Sequence, residues 1–94
     1  MAEAVSVECH QAGPGWACRV RVGEGADATE HVVTVSPDEL SRYAQGATEP
    51  TRLIEASFAY LLEREPKEAI MGSFTLSTIE RYFPRYAAEI GERL

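Results

Sequence analysis

Residues Ser57 to Tyr86 read SFAYLLEREPKEAIMGSFTLSTIERYFPRY, an apolar and aromatic series in helical spacing interrupted at Pro66, Gly72 and Pro84. The pattern predicts helices folded back over a small sheet, because each apolar stripe has to be buried against another element. Leu53, Ile54, Ser57, Phe58, Leu61 and Leu62 share an arc of about 180° at the helical period, wider than the ~100° stripe of a surface helix. The central helix is therefore expected to be covered on two sides, by the sheet and by another helix. Thr48 caps it with Glu49 and Pro50 in its first turn, and Glu65-Pro66 ends it, since the residue before a proline is pushed out of helical geometry. One short turn is expected between Pro66 and Met71. Beyond Gly72, Thr75 or Ser77 starts a last segment. Its stripe of Leu76, Ile79, Phe83, Tyr86 and Ile90 keeps its phase across Pro84, with a break there.

Upstream of the central helix, Ser36-Pro37-Asp38-Glu39 is a helix start: a Ser cap, Pro at the first helical position and Glu three residues after the cap. That helix is expected to run to about Gln45 and stop at Gly46, with Leu40, Tyr43 and Ala44 facing inward.

The first third alternates with period two. Val5, Val7 and Cys9 form one such run, and Trp16, Cys18, Val20 and Val22 form a second beyond the turn at Ala12-Gly13-Pro14-Gly15. Centring the turn on Gly13-Pro14 pairs Val5 with Val22, Val7 with Val20 and Cys9 with Cys18. The same register sets Glu8 across from Arg19 on the other face as a charge pair. Gly23 to Asp27 is a second turn. Glu30 to Ser36 is a third strand, with His31, Val33 and Val35 on the apolar side. The fold class is thus α+β: a three-stranded antiparallel β-meander packed on one face by three or four C-terminal helices. One domain is expected over residues 1–94, with strands at about 4–36 and helices at about 37–92.

The chain has 94 residues, 45% of them hydrophobic, and a net charge of −6. No apolar run approaches the ~20 residues of a membrane span, so no membrane role is expected. The start MAEAVSVECH lacks the basic, then apolar, character of a secretory signal. The expected location is cytoplasmic, with Cys9 and Cys18 as reduced thiols. The acidic balance disfavours nucleic acid as partner, because phosphate neutralisation supplies most of such affinity.

The string SFxxLLEREP at Ser57–Pro66, then Ile70, then FxLxxIxRYFPxY at Phe74–Tyr86, is similar to a family of short, functionally uncharacterised bacterial proteins. The resemblance covers roughly residues 30 to 90, and the REP and RYFP segments are its most specific parts. It implies a bacterial cytoplasmic protein and transfers no catalytic residue.

Five groups of residues come into question for chemistry or contacts. Cys9, Cys18 and His31 share one sheet face and could begin a metal site, but structural zinc takes four ligands and usually a tight Cys-x2–4-Cys spacing, neither of which is present. The two cysteines, directly opposed, lie within reach of a disulfide, which in a reducing cytosol would act as a redox switch. Cys9 and His10 are neighbours on a strand and point to opposite faces, a poor nucleophile–base pair. Glu63, Glu65 and Glu68 alternate with Arg64 and Lys67 as a solvated helix end. Arg19 and Arg21 stand on the outer sheet face and could meet phosphates or bases, although Glu8 sits among them and no aromatic stacks there. Arg81, Tyr82, Arg85 and Tyr86 are candidates for contact with a partner, Arg and Tyr being favoured at interfaces. No cofactor fingerprint or catalytic constellation appears. The expectation is a non-catalytic interaction or regulatory module that meets another protein. The alternatives are a nucleic-acid-binding regulator using Arg19 and Arg21, and a thiol redox or metal function of Cys9 and Cys18.

Overall fold

Strands come first because β-branched residues alternate with polar ones up to Val35. In a computed structural model that describes residues 3–94, β1 spans Val5–Ala12, β2 Gly15–Val22 and β3 Thr29–Val35. Residues 1 and 2 of the expected domain lie outside the described residues. The β1–β2 register is the one the alternation predicts, with Val5 opposite Val22, Val7 opposite Val20 and Cys9 opposite Cys18. Gly13 makes the tight turn possible: its φ is +61°, and Gly at the first position of a two-residue loop suits the twist of a hairpin. Gly15 has a different reason. A Cβ there would collide with the carbonyl oxygen of Val35 on β3, so only glycine lets the two strands approach.

Helices follow where the period changes. α1 (Pro37–Tyr43) opens with a full capping box: Ser36 Oγ accepts from Glu39 N, and Ser36 N donates to Glu39 Oε1. It ends two residues before the expected Gln45, and Gly46 turns the chain with φ +87°. α2 (Thr51–Leu62) starts after Pro50 rather than at Thr48, because Glu49 precedes a proline and is disfavoured in helical geometry. A single turn at Lys67–Ala69 follows Pro66. The last segment breaks at Pro84 into α3 (Thr78–Tyr82) and α4 (Tyr86–Ile90).

The three-stranded meander needs correction. Ser73–Thr75 forms a fourth strand, β4, which runs parallel to β3, so the sheet has the mixed order β1-β2-β3-β4. Its signal was present in Ser73-Phe74-Thr75-Leu76, two apolar residues alternating with two polar ones after Gly72, but the run is too short to outweigh the helical stripe beginning at Leu76. The connection through α1 and α2 supplies the long crossover that parallel pairing requires.

The inner sheet face carries Cys18, Val20, Val22, Val33 and Val35, all buried, against Leu53, Ile54, Phe58 and Leu61 of α2 and Tyr86 and Ile90 of α4. The wide arc of α2 is accounted for by β1 on one side and α4 on the other. Among the described residues, no helix is long and apolar enough to cross a membrane.

Polar ties fix the helices to one another. Glu39 Oε1 accepts from Ser36 N at 2.8 Å and Oε2 from Ser77 N at 2.8 Å, so one carboxylate joins the start of α1 to the chain entering α3. Burial pushes this carboxyl up, but the hydrogen bonds from Ser36 and Ser77 outweigh it and leave the pKa below its ordinary value. Tyr43 OH donates to Glu80 at 2.6 Å, and burial and then Glu80 raise its pKa to about 12. Tyr60 OH donates to Glu89 at 2.9 Å, while the Arg64 guanidinium lies 3.5 Å from the Tyr60 ring centroid.

Candidate interaction surface

Cys9 and Cys18 are joined by a disulfide, with Cα atoms 4.0 Å apart. This corrects the expectation of reduced thiols. Gly23 N donates to Ala4 O, so hydrogen-bonded pairs fall on the even residues of β1. Cys9 and Cys18 then form a non-hydrogen-bonded pair, where side chains on one face come closest. This close approach on one face is what brings the two sulfurs within bonding distance.

The bridge also removes the metal candidates, since both sulfurs are bonded to each other. His31 stands opposite Val20, two residue pairs along the ladder from Cys18 and Val33 and on the same face. Both its ring nitrogens are engaged: Nδ1 lies 2.7 Å from Met71 O and Nε2 2.9 Å from Thr29 Oγ1. A carbonyl only accepts, so Nδ1 donates to Met71 O, and Nε2 pairs with the Thr29 hydroxyl. Among the described residues, no group of three His, Cys, Asp or Glu side chains could hold a metal ion. His31 instead anchors the backbone that leads into β4, and its ring lies 5.4 Å from that of Phe58.

Arg19 and Arg21 are exposed on the outer sheet face as expected. Arg21 pairs with Glu30 at 3.1 Å, while Glu8, though opposite Arg19 in register, lies 3.5 Å from His10 Nε2. The Glu8–Arg19 ion pair is thus absent from the described contacts. Two arginines and two glutamates on one face leave little net charge to attract phosphate.

The four residues of the last segment separate. Tyr86 is fully buried, so it is a core residue and not a contact residue. Its OH lies 2.6 Å from Ser57 Oγ, and its ring meets Tyr43 and Tyr60 edge-on at 5.0 and 5.5 Å between centroids. Helical phase carries Tyr86 inward together with Ile79 and Ile90, and that stripe outranked its type as an interface residue. Arg85 is exposed and lies 3.9 Å from Glu89, a separation worth little at a surface. Arg81 is exposed, and Tyr82 is 67% exposed.

Tyr82 belongs to a feature not legible in the sequence. A cleft of about 380 Å³ lies between the end of α2, the turn before β4, and α3. Ile70, Phe74, Ile79 and Phe83 form its apolar lining, Met71 and Tyr82 stand at its mouth, and Glu65 lines it with a carboxylate. Glu65 makes no ion pair with another described residue. Finding this cleft required β4, which brings Phe74 next to α3.

Neither protein-family models, nor curated proteins, nor solved structures give a match to this chain.

Proposed function

We propose that the chain is a small non-catalytic module that binds another protein through the cleft between α2, β4 and α3. One observation carries this reading: Met71 at 42% and Tyr82 at 67% exposure, two of the few large hydrophobic residues left in water, flank the same apolar depression. Apolar surface gathered at one concave place is characteristic of an interaction site, and Tyr and Met are enriched there. The cleft is also built from the segment between Leu61 and Phe83, which lies within the stretch, roughly residues 30 to 90, that resembles short bacterial proteins. The reading sets the module in a bacterial cytoplasm, as that resemblance implies.

A second reading, nucleic-acid binding through Arg19 and Arg21, has one observation in its favour. The outer sheet face is uncovered, with Ser6, Glu8, Arg19, Arg21, Val32 and Thr34 all exposed.

The test is affinity capture from the native cell with the folded chain, with protein and nucleic acid analysed together. The expected result is a protein partner that is lost from Met71→Glu and Tyr82→Ala and retained by the double variant Arg19→Ala, Arg21→Ala. Nucleic acid captured in a salt-sensitive manner, and lost with the two arginines, would replace this reading with the second.

A further inference from the structure

The β4 edge of the sheet is open. Val32 N donates to Gly72 O at 2.8 Å and Leu76 N to Thr34 O at 3.0 Å, bracketing the ladder in which Val33 stands opposite Phe74. In a parallel ladder, alternate residues of a strand direct both backbone groups to the same neighbour. Gly72, Phe74 and Leu76 therefore face β3, and the N–H and C=O groups of Ser73 and Thr75 face outward. Both residues are exposed, and β4 ends the strand order.

The cleft lies beside this edge on the inner face. Phe74 points to that face, since it shares a row with Cys18 and Val33, and it lines the cleft. A strand added to β4 would send every second side chain to the same face, onto Phe74, Tyr82 and Phe83.

Resting on the proposed protein-binding role, we infer that the occupant is an extended segment of a partner protein, added to the sheet as a fifth strand along β4, with alternating apolar residues and a flanking basic one. Ser73 and Thr75 supply two donors and two acceptors to its main chain. Its inward apolar side chains fill the cleft, and its Lys or Arg meets Glu65. Charge selects against a second copy of this chain as occupant, because each copy carries −6 and like-charged surfaces repel. The mode of recognition is strand addition, in which backbone bonds supply affinity and pockets for alternate side chains supply selectivity.

The experiment uses the full chain, labelled with 15N, and the peptide acetyl-KTVTVTK-amide as probe. Two control peptides carry glutamate in place of both lysines, or N-methyl groups on both valines and on the threonine between them, which blocks the donors to β4 whether the added strand runs parallel or antiparallel. The variant is Thr75→Pro. Because the Thr75 N–H faces outward, proline breaks no bond of the β3–β4 ladder; it removes that donor and the exposed hydroxyl contact with Thr78 at 3.1 Å, and places its ring in the path of an added strand, a substitution that sheet edges tolerate. The expected result is saturable shifts and slowed hydrogen exchange at the Ser73 and Thr75 amides. Binding should weaken about tenfold or more with Thr75→Pro and with the N-methyl peptide, and also fall with the glutamate peptide. Unchanged thermal stability of Thr75→Pro shows that the loss is local.

Three results would overturn the inference. The first is no shift at Ser73 and Thr75 at millimolar peptide, and the second is equal binding of the N-methyl peptide. The third is self-association of the chain that Thr75→Pro abolishes, which would make a second copy the occupant. The broader role fails separately. If Met71→Glu and Tyr82→Ala lose the cellular partner while Thr75→Pro keeps it, the cleft binds without strand addition. If all three variants keep it, the cleft is not the site.

Discussion

Replacing Tyr86 tests whether the last segment is core or contact surface, and two substitutions separate its ring from its hydroxyl. A Tyr side chain buries at least ~150 Å², and ~25 cal/mol per Å² gives about 4 kcal/mol for the ring. Aromatic truncations of this kind cost ~3–5 kcal/mol, so Tyr86→Ala takes up much of the ~5–15 kcal/mol available to a small domain. The hydroxyl is a smaller matter. Ser57 Oγ donates to Leu53 O at 2.7 Å, so the bond between Ser57 and Tyr86 has the tyrosine as donor. In Tyr86→Phe the serine keeps its own acceptor and loses only an incoming bond, at ~0.5–1.5 kcal/mol. Urea unfolding followed by circular dichroism should then show a midpoint lowered by roughly 0.5–1 M for Tyr86→Phe and by several-fold more for Tyr86→Ala. A Tyr86→Ala midpoint within about 0.3 M of the unsubstituted chain would refute the burial argument, since only surface positions are that tolerant.

Phe58→Ala should cost ~3–5 kcal/mol by the same measurement, because its ring packs 5.4 Å from His31 and 6.3 Å from Phe74 and has no exposed surface. The Cys9–Cys18 bridge spans a sequence separation of 9, and closing a loop of about ten residues is worth ~2.7 kcal/mol in the chain-entropy account. A matching loss of stability on reduction is expected, and mass spectrometry of thiol-trapped chain from the cell reads which state prevails there. Glu39 has a lowered pKa, so its contribution is present above the ordinary value of 4.5 and is lost as pH falls through the folded value. Glu39→Gln should flatten the acid limb of a stability–pH curve. Tyr43 has a raised pKa, so its share is present below pH 10 and lost as pH rises through about 12, a limb that Tyr43→Phe should remove.

The elements that repeat a period over many residues were legible before any coordinates. The β1–β2 register follows from three apolar pairs, and the inward sets of α1, α2, α3 and α4 follow from helical phase. Leu40, Tyr43, Ile54, Phe58, Ile79 and Ile90 are all buried where the spacing placed them. Features made by a few residues acting at a distance were not legible. β4 has only three residues, and its identity as a strand comes from Val32, Val33 and Thr34 far upstream. Alternation places His31 on the correct face, but its role comes from the Met71 carbonyl, which no local pattern announces. The cleft exists only once β4 and α3 are side by side. Tyr86 is the opposite case: its residue type points to a surface contact while its helical phase points inward, and phase prevails.

The two halves of the sheet also differ in how the chain can reach them. β1, β2 and β3 close through short turns, and hairpins of this kind form in ~1–10 μs. β4 has no such route. The His31–Met71 contact that ties it to the meander joins residues 40 positions apart, so β4 is expected to dock after α1 and α2 have been laid across the meander. Loop closure of that length has to precede any gain from the pairing. The edge strand is therefore expected to be the last part of the sheet to form and the first to open. Native-state hydrogen exchange should show this order, with the Phe74 and Leu76 amides exchanging through a smaller opening than the amides of Cys18 and Val33. A surface assembled last and released first can exist in a closed and an undocked form at little expense to the rest of the molecule, and a bound segment would hold it closed.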